Sequence, residues 1–110
     1  MKRFLAFDIG ASNGRAIVGE WDGRRLVCED IHHFPNVPVQ ILGDMHWNAL
    51  TLFGDIKNGL AEYASRFGSD VDGIGFDTWG VDFALIDRDG RLFGNPHHYR
   101  DKRGEGMPEA

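Results

Sequence analysis

Cysteine is almost absent from this sequence, whose 110 residues include only Cys28. One thiol cannot form a disulfide within the chain or supply a metal site made of several thiolates. Low cysteine usage fits a reducing compartment, so the sequence predicts a cytoplasmic protein. Cys28 follows Leu26 and Val27 without an activating neighbour, which predicts a small buried side chain rather than a nucleophile.

Long apolar runs and an excess of positive charge are also missing. The first apolar stretch ends at Asp8, far short of the roughly 20 residues of a membrane span, so neither a signal peptide nor membrane contact is expected. Lys and Arg number 12 against 17 Asp and Glu, a net charge of −5, which argues against a nucleic-acid partner. The length suits one modest domain and is too short for a complete two-lobed enzyme.

Short apolar runs and turn residues predict the secondary structure. In chain order we expect strands at 4–7, 15–21 and 26–34, a loop at 35–43, a helix at 49–67, and strands at 71–76 and 81–86. Asp22-Gly23 and Asp89-Gly90 predict tight turns, while Asn48 and Gly68 are the expected helix caps. The order predicts an α/β fold, in which a mixed sheet begins with a three-stranded antiparallel meander and carries a helix on one face.

The expected faces of two elements follow from their periodicity. Alternation along the third strand places four side chains on one face: Leu26, Cys28, Asp30 and His32. Spacing of three or four residues along the helix predicts one apolar stripe packed on the sheet, made of Leu50, Phe53, Ile56 or Lys57, Leu60, Ala64 and Phe67.

Residues 8–15 (DIGASNGR) are the first candidate site, in the turn between the first two predicted strands. Glycine makes up 15 of the 110 residues, about twice the usual roughly 7%, and small residues let backbone N–H groups approach phosphate oxygens. Ser12 and Asn13 add side-chain donors, Arg15 adds positive charge, and Asp8 suits a hydrated Mg²⁺. The spacings of dinucleotide and P-loop motifs are absent. An ordinary glycine-rich turn is the alternative.

Residues 77–82 (DTWGVD) are the second candidate site, between two predicted strands. Carboxylates accept hydrogen bonds from sugar hydroxyls, and an indole packs on the apolar face of a sugar. The alternative is a turn in which the Asp side chains accept backbone N–H groups and Trp79 belongs to the core.

Residues 97–103 combine two adjacent histidines with a run of charges. Adjacent side chains of a strand point to opposite faces, so neither His97-His98 nor His32-His33 is expected to bind a metal jointly. The segment is predicted to be a surface loop with solvated charges, in which Arg100 and Asp101 are possible substrate or hinge residues.

The first motif, extended to residues 7–15, resembles the first phosphate motif of the FGGY carbohydrate kinases, whose fold is the ribonuclease H-like (actin/hexokinase-type) ATPase fold. Residues 74–83 (IGFDTWGVDF) and the run His98-Tyr99-Arg100-Asp101 with Arg103 strengthen the resemblance. It extends from Phe4 to about Met107. Residues 77–82 differ from the family members that act on xylulose or glycerol.

The resemblance implies transfer of a phosphoryl group from ATP to a sugar hydroxyl, with Mg²⁺. Asp8 matches the metal carboxylate, Gly80 matches a sugar-contacting backbone position, and Trp79 and Asp82 flank the sugar. The residues implied to bind the nucleotide phosphates are Ala11, Ser12, Asn13, Gly14 and Arg15. The family's pattern is broken at Asn13, where Ser or Thr is common, and at Gly104, where Thr is common; the second leaves the role of the Arg103 segment open.

The same resemblance implies that residues 1–110 are the N-terminal part of the first kinase lobe. The general-base aspartate and the adenine pocket are expected downstream, so no catalytic residue is assigned, and neither Asp77 nor Asp82 is expected to be the base. The isolated piece would be inactive, marginally stable and apolar at its surface, with the missing C-terminal part as its partner. The alternatives are an FGGY kinase for a different ketose or polyol, and a noncatalytic actin-like nucleotide-binding module.

Overall fold

A computed structural model describes residues 1–101 of the chain. Its elements are β1 (Lys2–Ile9), β2 (Asn13–Trp21), β3 (Leu26–Pro35), β4 (Val39–Ile41), β5 (Asp44–His46), α1 (Ala49–Phe67) and β6 (Gly73–Thr78). Arg103 and Gly104 lie outside the described residues. Over residues 1–101, no helix has the length and apolar character needed to cross a membrane.

The main sheet has four strands in the order β3-β2-β1-β6. β1, β2 and β3 form an antiparallel meander, and β6 pairs with β1 in parallel, with Phe4 opposite Gly73. The predicted mixed sheet with a meander is therefore confirmed. The last strand of the sheet begins two residues later than expected and ends at Thr78.

The core lies between this sheet and α1. Alternate residues of the strands point toward the helix, and the buried residues of the core are Leu5, Phe7, Ile9, Ala16, Val18, Ile31, Phe34 and Tyr63. The helix approaches the sheet closely at Gly59, where a Cβ atom would lie 2.7 Å from the Phe7 ring. This contact fixes which side of α1 is buried.

The predicted limits of α1 are confirmed, but its predicted apolar stripe is partly wrong. Asn48 Oδ1 accepts a hydrogen bond from the Thr51 N–H, and Gly68 ends the helix with φ 64°. The stripe that faces the sheet consists of Leu52, Ile56, Gly59, Tyr63 and Phe67, whereas Leu50, Phe53 and Leu60 are exposed. Periodicity in large aliphatic residues overlooked a buried face built around a glycine and a tyrosine.

A β-bulge in β3 changes the face to which its residues belong. The register with β2 shifts between Ala16 and Ile17, so that Ile17 faces Asp30 while Ala16 faces His32. Asp30 therefore lies on the sheet face opposite α1 and His32 on the helix side, so the prediction of one shared face was wrong. Cys28 is exposed rather than buried, because no described element covers that face.

Residues 35–43 were predicted to be a loop, and this was wrong for their second half. β4 and β5 pair as a short antiparallel hairpin. Its turn residues Leu42 and Gly43 have φ of 51° and 83°, the signs of a type I′ turn. Strands of three residues and a leucine at the first turn position conceal this hairpin from pattern reading.

The strand predicted at 81–86 is absent from the described part of the chain, and one bridge, between Ile86 and Leu92, stands in its place. Within residues 1–101, no strand lies beside this segment to complete a ladder. The predicted turn at Asp89-Gly90 is confirmed, because Gly90 has φ 82° and Asp87 Oδ1 accepts from the N–H groups of Asp89 and Arg91.

Candidate active site

Two motifs are brought to one edge of the sheet by the pairing of β1 with β6. Asp8 lies opposite Asp77 and Ile9 opposite Thr78, in parallel register. The loop after β1 and the loop after β6 therefore both leave the sheet at the carboxyl ends of the strands, which is where open α/β sheets bind ligands. The two candidate sites that the sequence suggested separately are neighbours in space.

The loop between β1 and β2 is short and its two ends are fixed by hydrogen bonds. The Gly10 N–H donates to the Asn13 carbonyl over 2.8 Å. Buried Asn36 donates its side-chain amide to the Gly10 carbonyl over 2.9 Å and its N–H to the Ser12 carbonyl over 3.0 Å. Sequence reasoning missed Asn36, because an isolated asparagine after a strand carries no motif signal.

Arg15 lies among carboxylates on the sheet face opposite α1. Its guanidinium pairs with Asp8 at 3.1 Å and with Asp30 at 3.3 Å, and His33 lies 3.3 Å from the same Asp30 oxygen. Hydrogen bonding to Asp8 and the attraction of Asp30 raise the pKa of Arg15. The bulge in β3 creates this group, since it brings Asp30 and His33 to one face.

Asp8, Arg15 and His33 line an open cleft of about 680 Å³. Its walls are Asp8, Ser12, Asn13, Arg15, His33, Phe34 and Pro35. Four of the residues predicted for metal and phosphate are thus together: Asp8, Ser12, Asn13 and Arg15. A half-exposed carboxylate beside a hydroxyl and a side-chain amide offers oxygen ligands of the kind that Mg²⁺ takes, so the residues present fit this ion.

The small residues of the loop are explained in different ways. Ala11 and Gly14 do not line the cleft. A Cβ atom at Gly14 would lie 2.3 Å from the Phe34 ring, whereas one at Gly10 would make only ordinary contact, 3.4 Å from the Asn13 carbonyl oxygen. Packing of Phe34 is therefore a sufficient reason for glycine at position 14, whether or not phosphate approaches there.

The second site is a cluster of aromatic rings around one carboxylate. The indole N–H groups of Trp47 and Trp79 both donate to Asp82 Oδ2, each over 2.7 Å. The two indoles lie 4.2 Å apart, and the His98 ring stacks on Trp47 at 4.1 Å. Trp79 and Asp82 were predicted for this site; Trp47 and His98 were not.

His98 and Asp101 are buried, so the expectation of a surface loop with solvated charges was wrong at these two residues. Burial lowers the pKa of His98, while the attraction of Asp82 opposes that shift. His98 Nδ1 accepts the Arg100 N–H, and Asp101 Oδ1 accepts the Met45 N–H. The segment folds against the β4–β5 hairpin because its own polar groups satisfy backbone donors there.

A cleft of about 650 Å³ opens beside the aromatic cluster. It is lined by residues 81–85, 93–99 and 101, which combine apolar side chains with Asp82, Asn95 and the two histidines. Gly80 and Trp79 do not line this cleft. Gly80 is exposed and directly precedes Val81, which lines the cleft and has a positive φ of 69°. No atom lies within 4 Å of a Cβ added at Gly80. The backbone at Gly80 is therefore accessible to a ligand.

Comparison with known proteins gives sequence relatives over nearly the whole chain. The rhamnulokinase of Bacteroides thetaiotaomicron is 41% identical over 109 residues, which are 99% of this chain and 22% of that protein. The rhamnulokinase of Klebsiella pneumoniae is 37% identical over 97% of this chain and 22% of its own length. The chain thus spans about a fifth of the relatives that it matches. No family model matches it.

Solved structures of sugar kinases share the fold. A xylulose kinase from Lactobacillus acidophilus superimposes with a TM-score of 0.70 at 12% identity, covering 88% of this chain and 19% of that one. A gluconate kinase from the same organism gives 0.73 at 13% identity, covering 92% and 20%. The predicted resemblance to carbohydrate kinases is confirmed, and the chain has the ribonuclease H-like, actin/hexokinase-type ATPase fold.

Proposed function

We propose that this chain is the N-terminal part of the first lobe of a rhamnulokinase of the FGGY family. The complete enzyme transfers the γ-phosphoryl group of ATP to the 1-hydroxyl of L-rhamnulose, giving L-rhamnulose 1-phosphate and ADP in L-rhamnose catabolism. The observation that carries the proposal is that the carboxyl ends of the parallel strands β1 and β6 lie side by side, with Asp8 opposite Asp77. Identity of 37–41% to rhamnulokinases supports this choice of sugar.

ATP binds with its phosphates at the loop after β1. The proposed contacts are the backbone and side chains of Ala11, Ser12, Asn13, Gly14 and Arg15. The guanidinium of Arg15 is paired with Asp8 and Asp30 before ATP binds. The phosphate oxygens therefore compete with these two carboxylates for the guanidinium. Asp8 would hold Mg²⁺, which would offset the negative charge of the phosphates.

The sugar binds beside the aromatic cluster, against the accessible backbone of Gly80. Trp79 presents its ring to the apolar face of the sugar, and Asp82 holds both that indole and Trp47 through two N–H donors. We assign Asp82 a positioning role, because a carboxylate that accepts two indole N–H groups is a poor acceptor for the proton of the sugar hydroxyl.

The general base and the adenine pocket belong to the part of the kinase that follows this chain. The isolated chain therefore has no turnover, and a cytoplasmic location is part of the same proposal. The fold alone does not select the substrate, because a xylulose kinase and a gluconate kinase superimpose on the chain with similar TM-scores.

A substrate panel on the complete protein that contains this chain tests the proposal. ADP release is measured with L-rhamnulose, xylulose and fuculose at equal concentrations, and L-rhamnulose is expected to give the highest kcat/KM. A higher kcat/KM with another ketose would change the proposed substrate, while the assignment as a sugar kinase would stand. ATP binding without turnover on any sugar would favour a noncatalytic nucleotide-binding module.

The assignment of Asp82 has its own test in the same protein. Asp82→Asn is expected to raise the KM for the sugar and to retain part of kcat, since it disturbs the indoles without removing the base. Complete loss of kcat at unchanged sugar affinity would contradict the positioning role and would make Asp82 the base.

A further inference from the structure

The β4–β5 hairpin carries a group of metal-ligating side chains that the proposed kinase does not use. Asp44 and His46 are two residues apart on β5 and therefore lie on one side of that strand. His97 joins them through an antiparallel bridge with His46. One possible ligand atom from each of these three side chains lies within 4.8 Å of the other two. We call these residues the hairpin cluster.

Backbone hydrogen bonds hold the two sides of the hairpin cluster together. The Trp47 N–H donates to the Pro96 carbonyl over 2.8 Å, and the His98 N–H donates to the Met45 carbonyl over 2.9 Å. These bonds flank the bridge between His46 and His97, whose rings lie 4.2 Å apart. The histidines are thus brought together by the fold rather than by adjacency in sequence.

His46 has a backbone carbonyl partner of the kind that often supports a metal-ligating histidine. Its Nδ1 lies 3.3 Å from the carbonyl oxygen of Asn95. Protonated at Nδ1, the ring donates to that oxygen and keeps the lone pair of Nε2 for a metal. Asn95 is itself anchored, because its side-chain oxygen accepts the Ala49 N–H over 3.0 Å.

The donor set selects the class of metal. Ligands of one ion with bonds of about 2.0–2.2 Å stand roughly 3–4 Å apart, a spacing that small side-chain rotations within the hairpin cluster reach. Two imidazoles and a carboxylate suit Zn²⁺ and its neighbours in the first transition row, whereas Mg²⁺ prefers oxygen ligands alone. All three residues are half-buried, which leaves an approach for the ion and for a water molecule.

We propose that Asp44, His46 and His97 bind one divalent transition-metal ion, with Zn²⁺ as the reference ion and a fourth position left to water. The ion links β5 to residues 95–98 and so fastens the wall of the aromatic cluster. The site is separate from the Mg²⁺ position at Asp8, and it does not depend on the proposed kinase activity.

The first experiment uses the unsubstituted chain, freed of metal and labelled with ¹⁵N in its histidines. Zn²⁺ is added up to two equivalents while the imidazole resonances are followed. The resonances of His46 and His97 are expected to move and to saturate at one equivalent, while those of His32 and His33 stay. Movement of His32 and His33 instead, or no saturation near one equivalent, overturns the proposal, and this result needs no variant to fold.

The second experiment measures Zn²⁺ affinity by calorimetry for Asp44→Asn and His97→Gln. Each is expected to weaken binding by about tenfold or more, with an unchanged far-UV circular dichroism spectrum before metal is added. His33→Gln is the matched control, since it removes an exposed imidazole that lies beside an aspartate outside the hairpin cluster. Unchanged affinity in both cluster variants, or equal loss in the control, contradicts the assignment.

Discussion

Asp82 connects the second candidate site to the packing of the molecule. It accepts the indole N–H groups of Trp47 and Trp79 on one oxygen, and Trp47 is buried. A buried indole needs a partner for its N–H, since the loss of that partner leaves a desolvated donor. The carboxylate that flanks the proposed sugar position is therefore also a structural residue.

Asp82→Asn replaces a charged acceptor by a neutral one and is predicted to destabilise the chain by about 1 kcal/mol, the difference between hydrogen bonds to charged and to neutral groups. Two of the three tryptophans contact this side chain, so tryptophan fluorescence is expected to change along with the thermal midpoint. Asp89→Asn is the control, because Asp89 is exposed. A variant with the parent's fluorescence and midpoint would show that Asp82 does not hold the indoles.

His98 gives the aromatic cluster a dependence on pH. Burial lowers the pKa of His98, and its Nδ1 accepts the Arg100 N–H as a neutral ring. The folded state therefore disfavours the imidazolium. The contribution of the neutral His98 ring to the free energy of unfolding is fully present above the ordinary pKa of about 6.5. It is lost as the pH falls from there toward the lowered pKa.

An NMR titration of the His98 imidazole is expected to give a pKa below about 6.5. The thermal midpoint should fall between pH 6.5 and 5, a window above the ordinary range of the carboxylates, and the fall should be smaller in His98→Phe. An identical slope in His98→Phe would assign the pH dependence to another group.

At the scale of elements, α1 packs closely on the sheet at a position where it has no side chain. Gly59 lies over Phe7 and Ala16, with 2.7 Å between an added Cβ and the Phe7 ring. Gly54, one and a half turns earlier, has nothing within 4 Å of the same position. Close packing therefore requires glycine at position 59, whereas the space around position 54 would admit a side chain.

Gly59→Ala is predicted to destabilise the chain by about 1–3 kcal/mol through overpacking. Gly54→Ala is predicted to stabilise it by about 0.5–1 kcal/mol, because alanine is the better helix former where space is open. Thermal midpoints of the two variants should move in opposite directions from the parent. Equal shifts of one sign would mean that the Phe7 contact does not set the helix position.

The elements also show what a sequence can foretell. The meander, the helix caps and the turn at Asp89-Gly90 were predictable because each depends on residues close in the chain. The bulge in β3 and the buried face around Gly59 depend on packing partners far away in the chain, and these were missed. The hairpin at Leu42-Gly43 is local, but its strands of three residues and its leucine at the first turn position carry no recognisable pattern. The first candidate site was predicted for the same local reason, whereas Trp47 and His98 join the second only through tertiary contacts.

At the scale of the whole molecule, the chain is not compact. Its radius of gyration is 16.9 Å, with extents of 52 × 29 × 26 Å, against about 13 Å for a compact domain of this size. Large apolar side chains are exposed on one side of β6 and beyond it: Ile74, Phe76, Phe83 and Phe93. α1 covers the meander but does not reach β6.

The isolated chain is predicted to bind a hydrophobic dye and to unfold over a broad temperature range. Exposed apolar area of this extent is unusual for a stable monomer, and under the proposed function the missing C-terminal part would cover it. The measurement is dye fluorescence and calorimetry of the purified chain, with the complete protein as control. A sharp cooperative transition in a monomer without dye binding would contradict the prediction.

The parallel pairing of β1 with β6 also predicts an order in which the strands form during synthesis. β1, β2 and β3 pair with their neighbours in sequence, whereas the pairing of Phe4 with Gly73 joins residues far apart in the chain. The entropy of closing a loop grows with its length, so the meander forms early and β6 joins late. We therefore expect the loop proposed to bind ATP to form before the cleft proposed to bind the sugar as the chain is synthesised.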